Sequence, residues 1–116
     1  MQSTRDKGLE GEEIAARFLK KSGYKILERN YRTKFGEIDI IAQKGKSIVF
    51  IEVKTRCSDD FGSPVEAVDN KKLTKLVNVA SHYIQKNRFE NNPIRFEVVS
   101  ILKKQDRWSC EIIPVD

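Results

Sequence analysis

The feature that most constrains this chain is an apolar run, Ile48 to Ile51, that ends in Glu52-Val53-Lys54. A segment with a glycine and two acids, Gly36-Glu37-Ile38-Asp39, precedes it. Because side chains alternate along a strand, Glu52 and Lys54 would share one face with apolar residues of the run. An acid and a base buried beside apolar side chains are costly unless they pair or hold an ion. The pattern therefore predicts a metal-dependent site built on a sheet.

The length of 116 residues fits a single domain over residues 1–116. No apolar run approaches the ~20 residues of a membrane span, and the polar start Met1 to Lys7 is unlike a secretory signal. The two cysteines, Cys57 and Cys110, have no metal-ligand spacing and are typical of a reduced compartment. We expect a cytoplasmic protein that does not insert into a membrane.

The formal net charge is +5, and the sequence pI is about 9.3. This balance favours a polyanionic partner, because basic side chains that neutralise phosphates release counterions. A mildly basic surface with no such partner would have the same charge. Charge alone therefore leaves nucleic-acid binding as one of two interpretations.

Hydrophobic periodicity and turn signals predict the order helix, three strands, helix, two strands. The first helix is expected over Thr4 to Lys21, ending at Ser22-Gly23. The strands are expected over Lys25 to Tyr31, Glu37 to Gln43, Ser47 to Thr55, Ile94 to Leu102 and Ser109 to Val115. A helix between the third and fourth strands makes those strands parallel. The predicted fold is α/β, a mixed five-stranded sheet flanked by helices, with the order α-β-β-β-α-β-β.

The second helix has an apolar stripe at helical spacing, and Asp69 is its candidate N-cap. Lys72 borders this stripe, so it either reaches the site or lies along the helix with only its ammonium in water. The members of the stripe are Leu73, Leu76, Val77, Ala80 and Ile84.

The second and third strands are expected to form a hairpin through Lys44-Gly45-Lys46. A two-residue loop at Lys44-Gly45 pairs Gln43 with Lys46, which sets Asp39 opposite Phe50. Asp39 then shares a sheet face with Glu52 and Lys54, whereas a three-residue loop would place it on the opposite face. The other face is apolar and is the predicted core: Ile38, Ile40, Ala42, Val49, Ile51 and Val53.

The first helix supplies a further acid. Its inner face consists of small and apolar residues, and Glu12 lies at the margin of that face. Glu13 groups instead with Arg17 and Lys20, where a solvated ion pair is expected. Glu12 is therefore the acid predicted to point toward the sheet. The inner face comprises Gly8, Gly11, Ala15, Phe18, Leu19 and Ser22.

Three carboxylates, Glu12, Asp39 and Glu52, around Lys54 suit a hard cation such as Mg²⁺ or Mn²⁺. Zinc is disfavoured, because His82 and two distant cysteines are the only softer ligands. A bound metal could activate water near a phosphoryl group, and Lys54 could position that water or stabilise developing charge. A basic rim would hold a phosphate backbone: Arg32, Lys34, Arg56, Lys72 and Lys75.

A purely structural interpretation competes with the metal site. Asp39, Glu52 and Lys54 could form a cross-strand ion-pair cluster on a half-exposed face. Four aromatic residues could stack on bases, although packing is their commoner role: Tyr24, Tyr31, Phe61 and Trp108. No segment is typical of base-specific recognition, so structure-selective or nonspecific binding is the expectation.

The chain resembles the PD-(D/E)xK, or restriction-endonuclease-like, nuclease superfamily, and more closely the small YraN-type bacterial family related to Holliday-junction resolvases. The resemblance covers nearly the whole chain. It rests on Gly11-Glu12, Ala15, Leu19, Gly23-Tyr24, Arg29-Asn30, Gly36 to Ile41, Val49 to Lys54, Ala67-Val68, Lys72, Leu76, Ala80 and Arg95 to Val99.

Matched position by position, the resemblance implies that Asp39 and Glu52 bind the metal and that Lys54 is the catalytic lysine. It implies that Glu12 is the additional helix acid of resolvase-like members. The chain departs from the superfamily pattern at Ile38, where a proline often precedes the first acid. The implied function is a Mg²⁺-dependent endonuclease acting on DNA, with branched or structured DNA as a candidate substrate. Similarity to resolvases also implies a homodimer, and degenerate relatives imply the alternative of a non-catalytic nucleic-acid-binding module.

Overall fold

The structure is a computed structural model that describes the backbone of residues 4–57 and 70–115 and the side chains of residues 10–56 and 72–115. Its elements follow the predicted order. They are α1 (Thr4–Lys21), β1 (Lys25–Thr33), β2 (Gly36–Lys44), β3 (Ser47–Cys57), α2 (Asn70–Lys86), β4 (Ile94–Lys104) and β5 (Arg107–Pro114). Asp69, the candidate N-cap of α2, lies outside the described residues.

The five strands form one mixed sheet in the order β1-β2-β3-β4-β5. All neighbours are antiparallel except β3 and β4, which run parallel on either side of α2 in the chain. This confirms the predicted α/β fold, because two adjacent parallel strands need a crossover connection rather than a tight turn. In the part of the chain that is described, no helix is long and apolar enough to span a bilayer.

The first helix ends where the sequence predicts, at a glycine. Gly23 has a φ of 91°, which favours a residue without a side chain. The Tyr24 N–H donates to the Leu19 carbonyl at 2.9 Å, and the Gly23 N–H donates to the Lys20 carbonyl at 3.1 Å. This pair of hydrogen bonds is a Schellman motif, and it turns the chain directly into β1.

One face of the sheet packs against α1. Ala15 and Leu19 of the helix are fully buried there, as the periodicity of its inner face predicts. The sheet residues of this core include Ile40, Ala42, Val49, Ile51, Val99 and Ile101, with Val53 partly buried beside them. The predicted core face is thereby confirmed except at Ile38.

Ile38 belongs to a second core on the opposite face, against α2. The prediction for Ile38 was wrong because regular alternation fails at Asp39, so that Ile38 and Ile40 lie on different faces. Asn30, on the neighbouring strand at this level, has a left-handed φ of 54°, which twists the strand locally. The other sheet members of this core are Ile41, Ile48 and Phe50.

The buried stripe of α2 is also displaced from the predicted one. Leu76 and Ala80 are buried as expected, but Val77 is 42% exposed. Val79 and Tyr83 take its place in the core. Tyr83 packs edge-on against both Tyr31 and Phe50, and burying this large ring outweighs burying a valine.

The β2–β3 hairpin differs from the predicted register by two residues. Lys44 pairs with Ser47, and Ile40 pairs with Ile51, so the loop is Gly45-Lys46. Gly45 has a φ of 60°, whereas a loop at Lys44-Gly45 would lead with a lysine where glycine is favoured. A shift of two residues does not by itself move a side chain to the other face, because the side-chain period of a strand is two. Ile38 changes face through the irregularity at Asp39 instead.

Candidate functional site

A cleft of about 490 Å³ lies between α2 and the adjoining strands β2 and β3. It contains both acids that the sequence assigns to the metal, Asp39 and Glu52. Its lining residues are Gly36, Glu37, Asp39, Glu52, Lys72, Lys75 and Leu76. Residues far apart in the chain therefore meet at a single concave surface of mixed charge.

Asp39 occupies the point where the paired register of β2 and β3 ends, just beyond Ile40 and Ile51. Its Oδ2 accepts a hydrogen bond of 2.8 Å from the backbone N–H of Val53. The carboxylate thus satisfies a donor that a regular hairpin would pair with a backbone carbonyl. The irregular strand, rather than regular alternation alone, brings Asp39 to the acid and the lysine of β3.

The pKa of Asp39 is raised from its ordinary 3.8 to about 7. Burial is the largest cause, followed by repulsion from the Glu52 carboxylate, while the Val53 hydrogen bond acts in the opposite direction. Glu12 and Glu37 add weaker repulsion. Burial and neighbouring negative charge thus both favour the protonated form of the Asp39 carboxyl.

Glu52 is shared by two lysines. The Lys72 ammonium lies 2.8 Å from Glu52 Oε1, and the Lys54 ammonium lies 3.8 Å from the same oxygen. The side chain of Glu52 is only 13% exposed, so these charges interact through a partly desolvated environment. Of the two readings for Lys72, the contact with Glu52 favours the one in which it reaches the site.

The two lysines have opposite pKa shifts. A hydrogen bond with Lys72, followed by burial, lowers the pKa of Lys54. Burial also acts to lower the pKa of Lys72, but its hydrogen bonds with Glu52 and Lys54 raise that pKa overall. Lys72 is thus the main counter-ion of Glu52, and Lys54 is the amine less tightly committed to its proton.

Glu12 approaches from the other side of the sheet, on α1. A Cβ placed on the preceding Gly11 would lie 2.5 Å from Thr55 Oγ1, so the glycine lets the helix lie close to the end of β3. The Oε2 atom of Glu12 is buried and has no hydrogen-bond partner among the described residues. Glu12 adds weak repulsion at the Asp39 carboxyl, but it does not line the cleft.

The donor set fits a hard, oxygen-preferring cation better than a structural metal. Among residues 10–56 and 72–115, no three acids, histidines or cysteines are close enough together to form a complete protein cage. Mg²⁺ does not need one, because it usually keeps several waters and takes one or two carboxylates plus substrate phosphates. Asp39 and Glu52 could supply those two carboxylates, since both line the cleft.

The five basic residues of the predicted rim have different positions. Lys72 and Lys75 line the cleft. Arg32 lies 3.3 Å from Glu37 at the edge of the cleft, and the Lys34 ammonium lies 5.3 Å from the centroid of the Phe35 ring. Arg56 lines a separate pocket beside β4 and β5. Lys72 and Lys75 are therefore the members of the rim that line the cleft, and Arg32 adjoins it through Glu37.

The sequence profile of the uncharacterised protein family UPF0102 matches residues 11–101. This chain belongs to the UPF0102 family. A UPF0102 protein of Fusobacterium nucleatum is 47% identical over 111 residues, covering 96% of this chain and 93% of its own length. One of Clostridioides difficile is 48% identical over 105 residues, covering 90% of this chain and 92% of its own length. Glu12, Asp39, Glu52 and Lys54 all lie within the part of the chain that defines the UPF0102 match.

A solved structure, Pyrococcus furiosus SfsA in complex with Ca²⁺, also matches this UPF0102 chain. The match covers 97% of this chain and 64% of SfsA, with 13% sequence identity and a TM-score of 0.39. At this level the two backbones differ too much to transfer a site from one to the other.

Of the four aromatic residues considered from the sequence, the three that are described pack within this UPF0102 member, which is the commoner of their two expected roles. Tyr24 is buried and donates to Glu97 at 2.8 Å, Tyr31 packs against the α2 core, and Trp108 packs against the α1 core. Phe61 lies outside the described residues. The exposed ring is Phe35, which the sequence reasoning did not single out. Its signal was the short polar-to-glycine interval from Thr33 to Gly36, which is typical of a hairpin tip.

Proposed function

We propose that this UPF0102 protein is a Mg²⁺- or Mn²⁺-dependent deoxyribonuclease that hydrolyses phosphodiester bonds in branched or structured DNA. One observation carries the proposal: Asp39 and Glu52 line the same cleft, and the Lys54 ammonium lies 3.8 Å from the Glu52 carboxylate. The same residues carry the resemblance to PD-(D/E)xK nucleases. A net charge of +5 is compatible with a polyanionic substrate.

Each residue has a role that follows from its position. Asp39 and Glu52 would hold the metal ion, and Glu12 would add negative charge beside it. When bound, the metal would polarise a phosphoryl oxygen and acidify a water. Lys54 would orient the attacking water or stabilise charge on the phosphate in the transition state. Lys72 and Lys75 would hold neighbouring phosphates from the helix side of the cleft.

Mixed charge within the cleft supports this division of roles. The Lys72 ammonium at 2.8 Å neutralises Glu52 in the absence of metal. With Asp39 and Glu52 holding a divalent ion, the Lys72 ammonium would be able to pair with a phosphate instead. The lysine would thus serve as counter-ion of the resting site and as a ligand for the substrate.

The decisive assay incubates purified protein with branched, duplex and single-stranded DNA in Mg²⁺, Mn²⁺ or EDTA. We expect cleavage of at least the branched DNA with either metal and none with EDTA. Asp39→Asn and Glu52→Gln should reduce the rate by at least about 100-fold, as the loss of a metal ligand does. The absence of cleavage on every substrate, or unchanged cleavage in both variants, would refute the nuclease proposal.

Adjacent acids of α1 supply a matched control. Glu12→Gln removes an acid that adds repulsion at the Asp39 carboxyl, and it should slow cleavage. Glu13→Gln removes an exposed acid that pairs with Arg17 and Arg29 on the surface, and it should leave the rate unchanged. Equal effects of the two substitutions would show that Glu12 acts only through net charge.

A second function is favoured by the same 2.8 Å contact between Lys72 and Glu52. A carboxylate held this closely by an ammonium could be a purely structural ion pair, which would leave a non-catalytic nucleic-acid-binding module. That function predicts salt-sensitive DNA binding that is the same in EDTA and in Mg²⁺. It also predicts that Glu52→Gln retains DNA affinity, whereas the nuclease proposal predicts loss of metal-dependent cleavage in that variant.

A further inference from the structure

The β1–β2 hairpin presents an aromatic ring to solvent beside the cleft. Thr33 pairs with Gly36, so the loop consists of Lys34 and Phe35. The Phe35 side chain is exposed, at 43%, more than any other large apolar side chain in the described regions. Its backbone N–H donates to Thr33 Oγ1 at 3.0 Å, which fixes the turn. The ring is therefore held at a defined loop rather than on a disordered tip.

The ring lies close to the candidate active site. The next residue, Gly36, lines the cleft that contains Asp39 and Glu52. Asp39 is four positions after Phe35 on the same hairpin, or roughly 13 Å at ~3.3 Å per strand residue. Since a stacked strand of DNA advances about 3.4 Å per nucleotide, that distance is spanned by about four nucleotides.

The charges around the ring suit a nucleotide. The Lys34 ammonium lies 5.3 Å from the ring centroid, so a positive charge and an aromatic face are available to a nucleotide at the same place. Arg32, on the same hairpin, is exposed and lies 3.3 Å from Glu37 at the edge of the cleft. An aromatic ring flanked by basic side chains is the combination by which proteins bind single-stranded nucleic acid, with the bases stacked and the backbone neutralised.

We propose that Phe35 stacks on an unpaired base within about four nucleotides of the scissile phosphate. The substrate class is then DNA with a single-stranded segment at the cleavage site, such as a flap, a splayed arm or a free strand. Bases inside a continuous duplex have both faces covered, so they offer the ring no surface. The inference rests on the proposed function in one respect, which is that the adjacent cleft is taken to be the cleavage site.

The test measures binding without cleavage. Fluorescence anisotropy in EDTA compares a labelled single strand of about 16 nucleotides, the upper site size of a single-strand-binding fold, with a blunt duplex hairpin. Phe35→Ala should weaken single-strand binding by about 5- to 160-fold and leave duplex binding unchanged. Phe35→Trp should retain single-strand affinity, because the larger ring still stacks. Ile94→Ala is the control, since Ile94 is also exposed, at 36%, but lies at the start of β4.

Three results would overturn the inference. Phe35→Ala could bind the single strand as tightly as the parent protein, or it could lose no more affinity than Ile94→Ala. It could also convert a dimer to a monomer in sedimentation at unchanged DNA affinity, which would assign the ring to a protein interface. The failure of the nuclease proposal is distinguishable, because a protein that binds through Phe35 and never cuts would retain the stacking role.

Discussion

Asp39→Asn should make the metal-free protein more stable at neutral and alkaline pH, even though it removes a residue assigned to the site. Burial and the neighbouring Glu52 raise the pKa of Asp39 to about 7 in the folded state, against an ordinary 3.8. A raised pKa means that the fold favours the protonated carboxyl and is destabilised by the ionised one. Asparagine is neutral at every pH, and its side-chain oxygen can still accept the Val53 N–H.

The pH window follows from those two pKa values. Below pH 3.8 both folded and unfolded chains hold the proton, so the carboxyl has no ionisation cost. As the pH rises toward 7 the unfolded chain has lost the proton and the folded one retains it, so the free energy of unfolding falls. Above pH 7 both states are ionised, and the cost stays constant.

The gap between the folded and ordinary pKa values of Asp39 limits the stability gained by Asp39→Asn to about 4 kcal/mol, at 1.36 kcal/mol per pKa unit. Screening lowers it, because the effective dielectric constant of protein sites is nearer 20 than 4, and we expect about 2 kcal/mol at pH 8. For a chain of this size that gain raises Tm by roughly 8 °C.

Urea unfolding followed by circular dichroism in EDTA, from pH 4 to pH 8.5, measures the effect. The stability of Asp39→Asn minus that of the parent should be close to zero at pH 4 and should grow to its full value by pH 8. Glu37→Gln is the control, since its exposed acid pairs with Arg32 at the surface and should change stability by less than about 0.5 kcal/mol. A difference that does not vary with pH, or a less stable Asp39→Asn at pH 8, would refute the reasoning.

Three further outcomes follow from the site and the core. Mg²⁺ binding at pH 6 should release up to one proton from Asp39, seen by calorimetry in buffers of different ionisation enthalpy, because a metal ligand must be deprotonated. Lys72→Gln should tighten Mg²⁺ binding about fivefold, since it removes the ammonium that competes for Glu52 at 2.8 Å and an ion pair of this kind is worth about 1 kcal/mol. Tyr24→Phe should destabilise the fold by about 1–3 kcal/mol in urea, because it leaves the buried Glu97 without its 2.8 Å donor.

Each of these outcomes has a contrary result. Proton release that is unchanged in Asp39→Asn would assign the proton to another group. Weaker Mg²⁺ binding in Lys72→Gln would mean that the lysine supports the metal site instead of competing with it. Tyr31→Phe is the control for Tyr24→Phe, since the Tyr31 hydroxyl bonds to exposed His82, and equal losses in the two variants would exclude a special role for the buried bond.

The hairpin shows how residues can be predicted to share a surface even when the predicted register is wrong. The sequence placed Asp39 with Glu52 and Lys54 by regular alternation, but the observed register differs by two residues. That shift keeps Asp39 on the face of Glu52, because the side-chain period is also two, whereas Ile38 lies on the face opposite to the predicted one. What brings Asp39 to Val53 is an irregularity in β2, and alternation of apolar residues contains no signal for it.

The core against α2 was likewise only partly predictable from the sequence. The apolar face of Ile40, Ala42, Val49 and Ile51 is evident from the pattern, and it packs on α1 as predicted. The burial of Tyr83 in place of Val77 depends on the rings of Tyr31 and Phe50, which come from other strands. The periodicity of the helix alone contains no information about these contacts, because the rings come together only after the sheet has formed.

The sequence by itself determined the order of the elements, the parallel pairing around α2 and the choice of Glu12 over Glu13, because all three depend on local periodicity and chain connectivity. Only the tertiary structure decided that Lys72 is the nearest cation to Glu52 and that Phe35 is the exposed ring beside the cleft. Both are set by contacts between elements far apart in the chain, where distance and burial fix which charges interact and which rings remain in water.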